Sequence, residues 1–261
     1  FDKSTPFFLD KKVDVKMLES KWNEFSRVSL AKITRKRNRR HYYRILHNNA
    51  HSNVHVWKYR RGKKEATKLE AIESPYLLER PTKDILVMFA GCGAEMTKFN
   101  RYSGGQDNIT GVEINPGVKE IAQNSRHLKH YRLNRFYKKP NINLVAQEGR
   151  SFLQANKKKY DIIYIGSSAE TSAYLTGHSR KFLDTIEAHL LYLKNIKKGG
   201  MIVLDHQPID WQIPSFRKLF EDHDLGDFKK SVIVLSSTSG DHDMLISPSG
   251  FSKKEIDKLL K

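Results

Sequence analysis

The fold of this chain is decided by one stretch, Asp84–Gly93, with the sequence DILVMFAGCG. Its first part is a continuous apolar run of strand length, which is typical of a strand buried on both faces of a parallel sheet. Two glycines, Gly91 and Gly93, follow the run directly. Glycines at that point let the backbone turn sharply and approach a bound nucleotide, next to the free N–H groups of a following helix. The stretch therefore predicts the first strand and the ligand-facing turn of an α/β domain.

Similar apolar runs recur downstream, with helical patterns between them. The predicted strands are Ile109–Ile114, Asn143–Ala146, Tyr160–Ile165 and Met201–Asp205. The predicted helices are Gly117–Asn124, Gly149–Asn156 and Lys181–Asn195. Strands that alternate with helices form βαβ units, so the predicted architecture is a Rossmann-like doubly wound sheet. Ser231–Ser237 and Asp243–Ser247 predict a closing antiparallel hairpin at one edge.

The region upstream of this sheet, residues 1–80, predicts a small basic unit that is rich in β-structure, and residues 81–261 form the second predicted domain. The helical spacing of Val15, Leu18, Trp22 and Phe25 predicts that this unit begins with a helix. Alternation then predicts strands over Arg27–Ile33, Tyr42–Leu46 and Val54–Tyr59. Leu69–Leu78 predicts a short helix or turn that Pro81 ends.

Composition limits the class of protein. The 261 residues hold a single cysteine, Cys92, which excludes an intramolecular disulfide and a cysteine-based zinc finger and favours a reducing compartment. No run approaches the roughly 20 apolar residues that a membrane span needs, and no signal peptide is visible in the sequence. We therefore expect a cytoplasmic protein. No metal site is predicted, because the histidine and aspartate clusters lack a specific ligand spacing, and no Gly-x-Ser-x-Gly motif indicates a serine hydrolase.

Positive charge is concentrated near the N-terminus. The chain carries a net charge of +18, of which +11 falls on residues 1–84. The densest part lies within residues 35–64, in the blocks Arg35–Arg40 and Arg60–Lys64. Such blocks attract phosphate, so a nucleic acid or an anionic membrane surface is a possible partner. The alternative is a solvated surface that only keeps the protein soluble.

Glu113 is the best candidate for a ligand-binding side chain. It lies 20 residues after Gly93, at the end of the second predicted strand. A carboxylate at that point can accept hydrogen bonds from both hydroxyls of a ribose. The alternative is a charge at the N-terminus of the helix that begins near Pro116.

These motifs carry a resemblance to a known family. The strand–GCG–helix segment is followed by Val112–Pro116 (VEINP), Glu148–Leu153 (EGRSFL), Tyr160–Ile163 (YDII) and Lys198–Gly200 (KGG). Together they resemble class I S-adenosylmethionine-dependent transferases, and more narrowly the spermidine synthase-like branch. Residues 22–28 are similar to the start of the N-terminal β-unit in spermidine synthase-like domains of large bacterial membrane proteins. On that likeness the chain could be part of a longer one, on the cytoplasmic face of a membrane.

The resemblance implies S-adenosylmethionine, or its decarboxylated form, as cofactor. It implies six cofactor-binding positions: Gly91, Gly93, Glu113, Ile114, Glu148 and Gly149. The two glycines of the turn would face the methionine or ribose part, and Glu113 would hold the ribose hydroxyls. Ile114 would pack on the adenine, and Glu148 would receive its amino group beside Gly149. Homodimers are common in this family, so a homodimer is a possible assembly.

Two departures from the family concern catalysis. Aminopropyl transfer to a polyamine needs carboxylates that hold the cationic acceptor and take its proton. The chain has Ala94 and Gly166 at those positions, with Glu95 and Glu170 displaced from them. Methyl transfer, which depends mainly on proximity and in-line geometry, is therefore favoured over aminopropyl transfer.

The acceptor is unknown, and three residues are candidates for catalysis. Ser167 and His178 belong to the loop after the fourth predicted strand, and His206 follows the fifth. The alternatives are a lid without a catalytic member and a histidine with only a structural role. Three other functions stay open: a non-catalytic ligand-binding or scaffold domain of a membrane-associated protein, a polyamine aminopropyltransferase, and an RNA methyltransferase that grips phosphate with the basic unit.

Overall fold

The computed structural model describes residues 11–47, 52–60, 62–66, 70–166, 183–205, 209–236 and 242–259. Within these ranges the chain forms two sheets, one of four strands and one of seven. No helix in the described ranges combines the length and the apolar character that a bilayer crossing requires.

The larger sheet has the predicted doubly wound topology. In chain order its strands are β5 Asp84–Met88, β6 Asn108–Glu113, β7 Ile142–Ala146, β8 Tyr160–Ile165, β9 Ile196–Leu204, β10 Val232–Ser236 and β11 His242–Ile246. Their spatial order is β10-β11-β9-β8-β5-β6-β7, with β5 to β9 parallel and the last two strands antiparallel. The chain winds outward from β5 in both directions, so the carboxyl ends of β5, β6 and β8 border the crevice where ligands bind in such folds.

Most helices lie between the strands of the larger sheet, and four of the helices were not predicted from the sequence. The helices are α1 Ser74–Leu77, α2 Ala94–Tyr102, α3 Pro116–Asn124, α4 Leu133–Phe136, α5 Gly149–Ala155, α6 Ile186–Asn195, α7 Ile209–Asp222, α8 Phe228–Ser231 and α9 Lys253–Leu259. The four without a prediction are α4, α7, α8 and α9. The helix predicted from Lys181 begins at Ile186, because the Thr185 side chain accepts a hydrogen bond from the Ala188 N–H and caps the helix there.

Strand β9 begins five residues before its predicted start at Met201. Ile196 already pairs with Tyr160, and the register then shifts before Ile162 pairs with Met201. Gly199, at φ +78°, lies in this irregular section. The glycine pair therefore belongs to an interrupted strand and not to a turn that precedes it.

The smaller sheet is an antiparallel meander of β1 Val13–Trp22, β2 Arg27–Arg35, β3 His41–His47 and β4 Ser52–Val56. The predicted N-terminal helix is wrong, because this part of the chain is β1. Its pairing with β2 shifts between Met17 and Glu19, which marks a bulge at Leu18. One extra residue turns a spacing of two into a spacing of three, so Val15 and Leu18 imitate helical periodicity. Trp22 is 76% exposed and is not part of a buried stripe.

The two sheets share one apolar core. Val28, Leu30 and Ile45 of the smaller sheet belong to the same buried cluster as Val87 and Phe99 of the larger domain. A polar contact adds to it: the Asn23 side-chain amide donates to Asn115 Oδ1 at 2.7 Å, and Asn115 Nδ2 donates to Ser26 Oγ at 2.9 Å. The predicted division at residue 80 therefore separates two sheets that pack against each other.

Candidate active site

The turn after β5 places its backbone where few side chains would fit. Phe89, Gly91 and Gly93 have φ values of +53°, +50° and +80°. A Cβ at Gly91 would lie 2.8 Å from a methyl group of Val54 in β4, and one at Gly93 would lie 2.1 Å from the Tyr137 hydroxyl oxygen. Both glycines are thus required by conformation and by close approach. Phe89, which sequence analysis missed, occupies a left-handed position that favours glycine.

Glu113 lies against this turn, at the end of β6. Its Oε2 accepts a hydrogen bond from the Gly91 N–H at 3.0 Å, and its Oε1 accepts one from the Asn115 N–H at 3.0 Å. Burial raises the pKa of Glu113, and the backbone donors Asn115 and Gly91 oppose that shift. Each oxygen has accepted one of these donors and keeps capacity for another. The carboxylate therefore faces the glycine turn, as predicted, and can accept further hydrogen bonds; the ribose contact itself stays a prediction.

Four predicted cofactor positions line one cleft at the carboxyl ends of β5, β6 and β7. They are Glu113, Ile114, Glu148 and Gly149. Residues that sequence analysis did not single out complete the lining: Met88, Phe89, Val112, Gln147 and Leu183. Met88, Phe89 and Val112 lie at the ends of β5 and β6. In the sequence they belong to apolar runs, which predict burial and do not indicate a cleft. Leu183 alone comes from a distant part of the sequence.

The cleft is narrow at Leu183. Its volume is about 30 Å³, which suits a water molecule or two and not an adenine ring. A Cβ on Gly149 would lie 2.6 Å from Met88 Cε and 2.9 Å from both δ-methyls of Leu183. Gly149 therefore lets Met88 and Leu183 pack closely against the backbone here.

Glu148 caps the helix that follows β7. Its Oε1 accepts from the Arg150 N–H at 2.9 Å, and its Oε2 accepts from the Ser151 N–H at 2.8 Å. Partial burial acts to raise the pKa of Glu148, but these hydrogen bonds outweigh it and hold the pKa below its ordinary value. Glu148 thus has a structural role as N-cap in addition to its place in the cleft. Its contact with adenine stays a prediction.

The three residues predicted for catalysis lie outside the described residues. They are Ser167, His178 and His206, and Glu170 lies outside them as well. Ala94 and Gly166, the uncharged replacements of the family acids, are described: Ala94 begins α2 directly after the glycine turn, and Gly166 is buried at the end of β8.

Three carboxylates, one of them in direct contact, act electrostatically on Tyr164 near the end of β8. The Tyr164 hydroxyl donates a hydrogen bond to Asp205 Oδ2. Burial raises the pKa of Tyr164 well above its ordinary value, and the negative charges of Asp205, Glu95 and Asp243 act in the same direction. Burial also raises the pKa of Glu95 itself. Glu95 was predicted only to be displaced from the family acid. Its shared effect on Tyr164 with Asp243 was not predicted, because Asp243 belongs to the distant closing hairpin.

The described residues offer no candidate metal site. Among the residues that the structure describes, no group of three or more His, Cys, Asp or Glu side chains could hold a metal ion.

Comparison with known proteins agrees with the geometry. No protein-family profile matches the chain. A curated polyamine aminopropyltransferase of Serratia proteamaculans is 30% identical over 114 residues, which is 41% of this chain and 38% of that protein. A spermidine synthase in complex with the transition-state analogue AdoDATO superposes over 92% of this chain and 76% of its own, with a TM-score of 0.60 at 16% identity. The chain has the spermidine synthase fold.

A second structure supports this assignment of the fold. Spermidine synthase from Thermotoga maritima gives a TM-score of 0.57 at 14% identity, over 92% of this chain and 75% of its own. Both spermidine synthase superpositions cover nearly the whole chain, so the smaller N-terminal sheet belongs to the shared fold as well as the larger one. The sequence match to the curated relative, by contrast, spans well under half of that protein's length.

Proposed function

We propose that the chain is a transferase that binds S-adenosylmethionine or its decarboxylated form. The observation that carries the proposal is the Glu113 carboxylate, partly buried and held against the glycine turn by the Gly91 N–H. This is the arrangement that a ribose diol recognises, at the crevice where ligands of doubly wound sheets bind. The similarity to a polyamine aminopropyltransferase and to a spermidine synthase bound to AdoDATO supports it.

The residues present fit an adenosyl nucleoside chemically. Glu113 would accept the ribose hydroxyls, and Ile114 would cover one face of the adenine. Glu148 would accept from the adenine amino group with oxygens that already cap α5. When bound, the sulfonium supplies an electrophilic carbon. The chain's own contribution is to orient that carbon, since transfer to a well-placed nucleophile gains most from proximity.

Methyl transfer is the first candidate for the reaction. Ala94 and Gly166 offer no carboxylate to hold a polyamine or to take its proton, and methyl transfer needs neither in the same way.

Aminopropyl transfer is the second candidate. The observation that favours it is the carboxylate of Asp205, which follows β9 and accepts a hydrogen bond from Tyr164, because a carboxylate at this edge of the sheet could attract a cationic amine. The sequence similarity to a polyamine aminopropyltransferase points the same way.

Titration calorimetry tests the binding step. S-adenosylmethionine, its decarboxylated form and S-adenosylhomocysteine would each be titrated into the wild type, Glu113→Gln and Glu120→Gln. We expect Glu113→Gln to weaken binding about tenfold to a hundredfold, since a charged acceptor of two hydrogen bonds is lost. Glu120→Gln is the matched control. Glu120 is an exposed residue of α3 that pairs with Lys21 of β1, so its substitution should leave the affinity unchanged. If the wild type binds none of the three ligands, the proposal is wrong.

Product analysis separates the candidate reactions. Methylated product with S-adenosylmethionine would support methyl transfer, and a lengthened polyamine with the decarboxylated form would support aminopropyl transfer. Tight binding without turnover across amine, hydroxyl and RNA acceptors would instead favour a non-catalytic domain, including one that serves a membrane-associated protein.

A further inference from the structure

A second cavity lies on the far face of α2, away from the nucleoside cleft. Its volume is about 290 Å³, roughly the size at which ligand pockets begin. One wall is formed by Trp57, Lys58, Arg60 and Lys64. The other is the face of α2 that carries Ala94, Lys98 and Arg101. It shares no lining residue with the nucleoside cleft.

Both walls of this cavity are fixed. The Tyr59 N–H donates to the Tyr131 carbonyl at 2.9 Å, and the buried Tyr59 ring packs against Phe136 at 5.0 Å. The Lys64 N–H donates to the Arg101 carbonyl at 2.9 Å, which ties the segment to the end of α2. A cavity with walls held in this way can be preorganised for a ligand.

The cavity carries an excess of positive charge. Of its lining cations, Lys64 is neutralised by the fully buried Glu73, whose carboxylate accepts from Lys64 Nζ at 2.8 Å. The remaining lining cations are Lys58, Arg60, Lys98 and Arg101, against the single exposed carboxylate of Glu70. Such an excess in a concave surface attracts anions.

Arg101 adds a further charged side chain to the wall of the cavity on α2. Its Nε is buried and closed to solvent, so this atom does not face the cavity. Arg101 therefore contributes to the cavity through its positive charge.

Trp57 adds a planar surface to the cavity. Its ring is 53% exposed, and Lys98 Nζ lies 5.9 Å from the ring centroid. An exposed tryptophan beside cations is the arrangement on which a base stacks while its phosphate is bound.

We propose that this cavity binds a nucleotide: the base stacks on Trp57, and the phosphate is held by Arg101, Arg60 and Lys98. The nucleotide could be free or a unit of a single-stranded nucleic acid. The proposal does not depend on the transferase activity.

Fluorescence anisotropy tests the proposal with a labelled 12-nucleotide single-stranded RNA and, in competition, free nucleoside monophosphates. We expect the charge reversals Arg60→Glu and Lys98→Glu, combined, to weaken RNA binding at least about tenfold at physiological salt. Trp57→Ala should also weaken it about tenfold. The matched controls are Lys157→Glu with Lys159→Glu, an equal charge change on exposed lysines, and Trp22→Ala, the loss of another exposed tryptophan.

The outcomes separate cleanly. Selective loss in the cavity variants supports the proposal, and competition by monophosphates then identifies a free nucleotide, whereas its failure identifies a strand. Equal loss in the cavity and control variants would show general charge attraction and overturn it. Absence of RNA and nucleotide binding in the wild type would do the same, as would binding to phosphatidylserine vesicles alone. S-adenosylmethionine affinity, measured in parallel, should stay unchanged in the cavity variants, so this proposal and the transferase proposal fail independently.

Discussion

At the residue scale, the turn between β5 and α2 depends on backbone conformations that most side chains avoid. Gly93 combines a φ of +80° with the Tyr137 hydroxyl, which donates a hydrogen bond to the Cys92 carbonyl at 2.8 Å. The hydroxyl therefore occupies the space where a Cβ would stand. The same turn presents the Gly91 N–H to Glu113, so its geometry fixes the carboxylate as well.

The substitution Gly93→Ala should lower the free energy of unfolding by more than about 2 kcal/mol, since it adds a steric clash to conformational strain. Gly62→Ala is the matched control: Gly62 has a φ of +96°, but nothing lies within 4 Å of its added Cβ. That change should cost only about 1 kcal/mol. Urea denaturation of both variants gives the comparison, and equal losses would show that the Tyr137 contact has no energetic weight.

The position of Glu113 against the glycine turn could be predicted from the sequence, because the chemistry of these residues and their spacing agreed; their contact with a cofactor stays a prediction. Gly91, Gly93 and Glu113 could be grouped because a glycine turn and a carboxylate 20 residues later fall at the ends of adjacent parallel strands, where both can contact one nucleoside. Leu183 and Phe89 could not be found in this way. An apolar side chain has the same local signal whether it packs in a core or borders a cleft, and only the fold brings Leu183 to Gly149.

At the scale of elements, four of the five parallel strands were predicted to within two residues at each end, and β9 was not, because burial on both faces leaves a pattern that does not depend on partners. The run Tyr160–Ile165 matches β8 at both ends. Strand β1 was mistaken for a helix, since one bulge is enough to change the apparent period and a bulge is set by pairing with β2. Local pattern cannot reveal an irregularity that arises between strands.

The packing of α6 on α7 makes the stability of the chain depend on pH. His189 of α6 is 1% exposed and stacks between Phe216, at 4.3 Å, and Trp211, at 5.8 Å. Burial lowers the pKa of His189 to about 4. In the unfolded chain the histidine binds a proton near pH 6.5, whereas in the folded chain it stays neutral until about pH 4.

The contribution of His189 to the free energy of unfolding should therefore be largest above pH 6.5. It should fall by roughly 3 kcal/mol as the pH is lowered from 6.5 towards 4. Chemical denaturation across that range would measure the effect. His189→Phe should flatten part of the profile, and the exposed His223→Phe should not. Part of the slope will persist in His189→Phe, because burial also lowers the pKa of His47 to about 4. A profile that is identical in His189→Phe and the wild type would contradict this account.

At the scale of the whole molecule, the two sheets pack against each other, and we expect them to unfold together. They share an apolar core, and Asn115 joins them through polar contacts while its Oδ1 also accepts from the Gly117 N–H at 3.0 Å and caps α3. The division at residue 80 was inferred from a change in sequence texture. The pattern of apolar and polar residues predicts secondary structure. Cooperative unfolding depends on contacts between elements, and the sequence alone does not show those contacts.

We expect a single unfolding transition in calorimetry, with equal calorimetric and van't Hoff enthalpies. Asn115→Ala should lower the free energy of unfolding by about 2–4 kcal/mol, through the lost cap and the unpaired buried groups of Asn23 and Ser26. The exposed Asn124→Ala, at the other end of α3, should change it by less than about 1 kcal/mol. Two resolved transitions in the wild type would refute the single unit.

The contact between Val54 and Gly91 couples events that look separate along the chain. A methyl group of Val54 in β4 occupies the space where a side chain at Gly91 would lie. The smaller sheet therefore packs on the loop whose Gly91 N–H donates to Glu113. We therefore expect a movement of β4 to change the packing of this turn, and a change in the turn to affect β4. Such linkage is reciprocal: occupancy of the nucleoside cleft and slow amide exchange in the first sheet should rise and fall together.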